Sequence, residues 1–86
     1  MDLKEKTAII TGGGRGIGRA AAVMLAKEGC NVVVTSRSRN EIDEVVQEVE
    51  ALGSGVLGLP LDLTVLENVN RLVDMTMQKF GSIDTP

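Results

Sequence analysis

The run Thr11-Gly12-Gly13-Gly14-Arg15-Gly16-Ile17-Gly18 constrains this chain more than any other stretch. An apolar segment, Ala8-Ile9-Ile10, leads into it. A helically patterned segment, Ile17-Gly18-Arg19-Ala20-Ala21-Ala22-Val23-Met24-Leu25, leads out. A short, continuously apolar run reads as a strand buried on both faces, the signature of a parallel sheet. A glycine turn from such a strand into a helix leaves backbone N–H groups and the positive end of the helix dipole open to approach. Phosphate-type anions bind at that kind of junction.

The rest of the chain repeats the same alternation. Gly16 to Glu28 predicts a helix with Ile17, Ala20, Ala21, Met24 and Leu25 on one face, closed by Gly29 as a left-handed cap. Val32-Val33-Val34 predicts a second buried strand. Ser38 and Glu41 fit a capping box ahead of Ile42, Val45, Val46, Val49 and Leu52 at helical spacing, and Gly53 ends that pattern. Val56 to Leu61 reads as a third strand, and Pro60, which cannot donate to a ladder, puts it at a sheet edge. Thr64 and Glu67 fit another capping box before a helix carrying Leu66, Val69, Leu72, Val73, Thr76 and Phe80, stopped by Gly81. Strand–helix alternation at this spacing implies right-handed crossovers. The expected fold is α/β, the first half of a Rossmann-like three-layer sandwich: three parallel strands in the order 3-2-1 with helices on both faces. Residues 1–86 form a single domain of this kind. With Phe80 the only aromatic residue, its core must be built from Val, Leu, Ile, Ala and Met.

Charge and residue usage exclude several function classes. Twelve acids against nine bases give a net charge of −3, the opposite of the basic patch a nucleic-acid binder presents. Cys30 is the only cysteine, so no intrachain disulfide forms, and it reads as a small hydrophobe at a strand start. No stretch reaches the roughly 18 apolar residues of a membrane-spanning helix. The charged start Met1-Asp2-Leu3-Lys4-Glu5-Lys6 is not a signal peptide, so the expected location is cytoplasmic. There is no His, Tyr or Trp, which leaves the chain poorly equipped for acid–base chemistry.

The glycine spacing narrows the ligand. Gly12-x-x-x-Gly16-x-Gly18 does not fit G-x-G-x-x-G with its first glycine directly after the strand. The Gly-Lys-Ser/Thr triplet of a Walker A loop is absent. The segment Thr11 to Gly18 instead resembles the TGxxxGIG signature of short-chain dehydrogenases/reductases. The resemblance extends through Val32 to Arg37, the Leu61-Asp62-Leu63-Thr64 junction and Lys79-Phe80-Gly81-Ser82-Ile83-Asp84. Within that family the chain is most similar to the 3-oxoacyl-(acyl carrier protein) reductase type.

The resemblance implies roles for individual residues. Gly12, Gly16 and Gly18 shape the turn, and Ile17 supplies backbone contact to a pyrophosphate. Arg15 and Arg37, with Ser36 beside the latter, lie where NADP-preferring members hold the ribose 2′-phosphate. Asp62 bonds the adenine amino group, with Leu63 alongside. The alternative for Asp62 is a cap for the next helix, and for Arg15 and Arg37 a solvated loop position. One physical argument favours NADP independently. NAD enzymes place a carboxylate at the end of the second strand to accept from the ribose hydroxyls. Here that strand ends Thr35-Ser36-Arg37-Ser38-Arg39, with no acid. An arginine there grips a phosphate bidentately, whereas a carboxylate would repel it.

The family's catalytic Ser and Tyr-x-x-x-Lys have no counterpart among these residues, so no catalytic residue is assigned and the 86 residues alone are expected to be inactive. The resemblance implies the NADP(H)-binding N-terminal segment of a longer reductase that transfers hydride to a carbonyl such as a 3-oxoacyl thioester. The alternative is a stand-alone, non-catalytic dinucleotide-binding or oligomerisation module. The first strand would form an apolar edge with unpaired N–H and C=O groups, which predicts a homo-oligomer.

Overall fold

The computed structural model of the protein describes residues 4–12 and 16–84. Its elements are β1 (Thr7–Thr11), α1 (Gly16–Lys27), β2 (Asn31–Ser36), α2 (Arg39–Ala51), β3 (Val56–Pro60) and α3 (Leu66–Phe80). The three strands are parallel and ordered β1-β2-β3, the Rossmann-like arrangement expected from the alternation. Thr11 pairs with Thr35 and Thr35 with Leu59, so the strands end almost level at their C-terminal side.

Side-chain alternation along β2 divides the core. Val32 and Val34 point to one face, where α1 and α2 cover them with Ala22, Ala26, Ile42, Val45 and Val49. Val33 points to the other, where Leu72 of α3 covers it with Leu59, and Ile9, Leu57, Leu63 and Phe80 pack around them. This is a three-layer arrangement, with two helices on one side of the sheet and one on the other.

The glycines at helix ends take the left-handed conformation that L side chains resist. Gly29 has φ 91° and closes α1 in a Schellman arrangement: its N–H donates to the Ala26 carbonyl, and the Cys30 N–H to that of Leu25. At Gly58 the requirement is steric. A Cβ there would lie 2.5 Å from Val46 Cγ2 and 2.6 Å from Ile42 Cγ2, so α2 sits closer to β3 than any side chain permits.

Several expectations need correction. The buried face of α1 is not Ile17–Ala20–Met24. Ile17 is 90 % exposed and Met24 67 %, while Ala22 and Ala26 are buried. Small residues face inward because α1 must fit against both the sheet and α2. The helix also stops at Lys27, one residue short of Glu28. The strand β3 ends at Pro60, so Leu61 belongs to the connection that follows. Finally, Thr64 does not cap α3. The N-cap is Val65, which makes no side-chain cap bond, because the Thr64 hydroxyl is turned back onto Asp62. The Ser38 cap is present: its hydroxyl accepts from the Glu41 N–H at 3.3 Å.

The two sheet edges are guarded differently. Lys6 and Gly55 turn their carbonyls toward β2, so alternation turns Thr7 and Val56 outward. Thr7 is engaged by Asp84 through its amide and its carbonyl, so the β1 edge is not bare as anticipated. The outward carbonyl of Val56 on β3 accepts from Lys79 Nζ at 2.7 Å.

Candidate functional site

The site forms where the strands end. Past β1 the chain enters Gly12, whose φ of 66° is left-handed. Its N–H donates to the Thr35 carbonyl at 2.7 Å, carrying the β1–β2 pairing one step beyond the strand. A Cβ on Gly12 or Gly16 would meet nothing within 4 Å. The glycines there serve backbone conformation, and among the described residues nothing fills the space beside them.

A cleft of about 410 Å³ opens beside this turn, lined by Gly12, Thr35, Ser36, Arg37, Leu61, Asp62, Leu63 and Thr64. Five residues singled out from sequence meet there: Gly12, Ser36, Arg37, Asp62 and Leu63. Gly16, Ile17 and Gly18 do not line it and form the first turn of α1 instead. Arg15 lies outside the described residues. Sequence reasoning did not single out Thr35, Leu61 or Thr64 as site residues. For Thr64 the available signal was its two-residue spacing from an aspartate, the pattern of an Asx turn.

Local hydrogen bonds hold both walls. On one side the Ser36 hydroxyl accepts from the Ser38 N–H at 3.2 Å, fixing the loop that carries Arg37 against the start of α2. On the other, Asp62 Oδ1 accepts from the Thr64 hydroxyl at 2.7 Å and the Thr64 N–H at 3.0 Å. The Asp62 carbonyl accepts from Asn68 Nδ2 at 2.9 Å and from the Val65 N–H, tying the wall to α3. These bonds hold the Asp62 carboxyl below the usual carboxylate range. The Thr64 hydroxyl contributes most and the Thr64 N–H next; partial desolvation opposes them, and the positive charge of Arg37 adds a smaller lowering. The cleft therefore offers a fixed acceptor on one wall, an exposed guanidinium on the other, and apolar surface from Leu61 and Leu63 between them.

Other candidate groups lie elsewhere. Arg19, in the second turn of α1, spans to α2, with Nη1 3.2 Å from Glu44 Oε2 and Nε 3.1 Å from Glu48 Oε1. Cys30 is buried, and burial pushes its thiol up, which suits packing and not nucleophilic attack. Among the described residues no helix is long and apolar enough to cross a membrane.

A parallel Rossmann-like sheet with a glycine turn and an open cleft at its C-terminal edge defines a class of α/β proteins that hold ligands at that edge. Within the class, residues 6–85 match the short chain dehydrogenase family, and the chain belongs to it. It is 41 % identical over 83 residues to the hydroxynaphthalene reductase-like protein Arp2 of Metarhizium acridum, covering 95 % of this chain and 31 % of that protein. The chain thus spans about a third of the length of the curated relatives it matches. Its fold superposes on xylitol dehydrogenase with NAD+ bound at a TM-score of 0.92 and 30 % identity, over 98 % of this chain and 32 % of that one. It superposes on L-sorbose reductase of Gluconobacter frateurii, complexed with NADPH and L-sorbose, at 0.89 and 34 % identity, over 98 % and 33 %. Relatives of both cofactor types therefore share this fold.

Proposed function

We propose that these residues form the adenine-nucleotide half of an NADP(H)-dependent oxidoreductase. The carrying observation is the pair of walls around the cleft. Arg37 follows β2 where no carboxylate stands, and Asp62 faces the same space with its carboxylate held ionised. The donor set fits an adenosine carrying a 2′-phosphate: Arg37 and the Ser36 hydroxyl for the phosphate, Asp62 for the adenine amino group, and Leu61 and Leu63 against the purine. The glycine turn and the first turn of α1, Gly12 and Gly16 to Gly18, take the pyrophosphate, and Arg15 joins Arg37 at the 2′-phosphate. A carboxylate after β2 would instead favour the ribose hydroxyls of NAD.

When bound, the nicotinamide supplies hydride exchange with a carbonyl substrate, of which a 3-oxoacyl thioester is our candidate. The residues here bind and orient the other end of the cofactor, and no counterpart of the family's catalytic Ser and Tyr-x-x-x-Lys stands among them to transfer a proton. Residues 1–86 act as one nucleotide-binding domain without catalytic activity of their own, in a cytoplasmic protein. The exposed apolar side chains of α3, Leu66, Val73 and Met77, support association of the chain with a second copy.

Calorimetric titration of the chain with NADPH, NADH and AMP tests the reading. The expected order of affinity is NADPH above NADH. Equal or tighter binding of NADH would refute the NADP preference, and no binding of any of the three would refute the site.

A further inference from the structure

Among the described residues two side-chain oxygens are buried without a hydrogen-bond partner, Thr7 Oγ1 and Thr35 Oγ1. The third buried threonine shows the ordinary solution: the Thr76 hydroxyl donates to the Leu72 carbonyl at 2.7 Å. A hydroxyl taken out of water without a partner is destabilising, so an orphan calls for an explanation. The two orphans differ in place. Thr7 begins β1, at the end of the sheet away from the cleft. Thr35 is the penultimate residue of β2 and lines the cleft itself.

Alternation gives Thr35 the same face as Val33, the face covered by Leu59 and Leu72. Leu61 and Leu63 pack against that cluster and form part of the cleft lining. The Thr35 side chain thus projects into the layer from which one cleft wall rises. Its carbonyl is already committed to the Gly12 N–H. The hydroxyl can both donate and accept, and one χ1 rotation exchanges it with the methyl group.

We infer that Thr35 is a ligand-reading residue: its hydroxyl completes its hydrogen bonding on the adenosine moiety of a bound nucleotide at the floor of the cleft. This rests on the nucleotide-binding reading above. The stability lost by burying the hydroxyl unpartnered in the ligand-free chain is recovered when the nucleotide binds. Because the contact is to adenosine, it serves AMP, NADH and NADPH alike and leaves the choice between the two dinucleotides to Arg37.

The test uses Thr35→Val, which keeps the shape and removes the hydroxyl, with Thr7→Val as the control for an orphan remote from the cleft. Thermal unfolding is measured without ligand, and binding of AMP, NADH and NADPH is measured by calorimetry or NMR titration. Thr35→Val should unfold at a higher temperature than wild type and bind all three nucleotides about fivefold more weakly, by a common factor. Thr7→Val should also gain stability and bind unchanged. If Thr35→Val is stabilised and binds like wild type, the orphan is a packing compromise and the inference falls. Should the valine variant not fold, Thr35→Ser, which keeps the hydroxyl, must retain wild-type affinity while Thr35→Ala loses it. Equal affinity of those two overturns the inference. A wild-type chain that binds none of the three ligands overturns the nucleotide reading and this inference together, an outcome distinct from a variant-specific failure.

Discussion

The Thr7 amide donates to Asp84 Oδ2 at 2.8 Å, and the Asp84 amide donates back to the Thr7 carbonyl at 2.9 Å. Thr7 faces away from β2, so this reciprocal pair occupies the outer edge of the sheet at its first residue. The Ser82 hydroxyl donates to the same carboxylate oxygen at 3.1 Å. Residues 82–84 are thereby held along β1, 77 positions away in sequence from Thr7.

Asp84 should therefore make stability pH-dependent. Its carboxyl lies below the ordinary aspartate value, first because of the Thr7 amide and then the Ser82 hydroxyl. A depressed folded-state pKa contributes stability that is present above the unfolded value of about 3.9 and is lost as pH falls through the folded value. Asp84→Ala should melt below wild type at neutral pH, and the difference should shrink under acid conditions. Thermal melts of both proteins from pH 7 down to pH 2 check this. A difference that stays constant with pH would show that the carboxylate charge contributes nothing.

Gly58→Ala should destabilise the fold although it looks conservative. The added methyl would meet Val46 and Ile42 at 2.5 and 2.6 Å. Overpacking of this kind costs about 1–3 kcal/mol. Gly53 offers a contrast, since its Cβ position is open and only its φ of 83° resists a side chain. Urea denaturation of Gly58→Ala, alone and combined with Val46→Ala, separates sterics from backbone effects. Relief by Val46→Ala identifies the clash as the cause.

Arg37→Asp should invert the choice of cofactor. A charge-assisted contact to a phosphate contributes about 1.5–3 kcal/mol, so NADPH affinity should drop by roughly ten- to a hundredfold. The introduced carboxylate can accept from ribose hydroxyls, so NADH affinity should hold or rise. Competition titrations with both cofactors measure the ratio. An unchanged ratio would remove Arg37 from the phosphate site.

Lys79→Met should expose β3 to pairing. The ammonium now occupies the outward carbonyl of Val56, and Pro60 contributes no N–H at the other end of the same edge. A lysine on an edge strand opposes strand addition by another chain. Removing it should raise the rate of aggregation on mild heating, followed by light scattering, relative to Lys79→Arg, which keeps the charge. Equal rates for the two variants would show that the edge is protected by other means.

The order of elements, the parallel sheet and the glycine turn were legible in the sequence because each is specified locally. Apolar runs such as Val32-Val33-Val34, the Ser38 cap and the terminal glycines at 29, 53 and 81 act within a few residues of themselves. Of the cleft residues singled out, Gly12 and Arg37 rested on the glycine turn and on the missing carboxylate after β2, whereas Ser36, Asp62 and Leu63 were reached only through the family resemblance; parallel strands bring all five to one edge. Tertiary structure alone decided what depends on a neighbour distant in sequence. Ala22 and Ala26, not Ile17 and Met24, became the inner face of α1 because the helix packs on both the sheet and α2. Gly58 is required by α2 passing over β3, Thr64 serves Asp62 instead of α3, and Asp84 returns to Thr7. Thr35 carries no motif, and it became a candidate only once the fold had made it a lining residue of the cleft with its hydroxyl buried and unpartnered. Burial and hydrogen-bond satisfaction belong to the whole molecule, so periodicity and local propensity do not encode them.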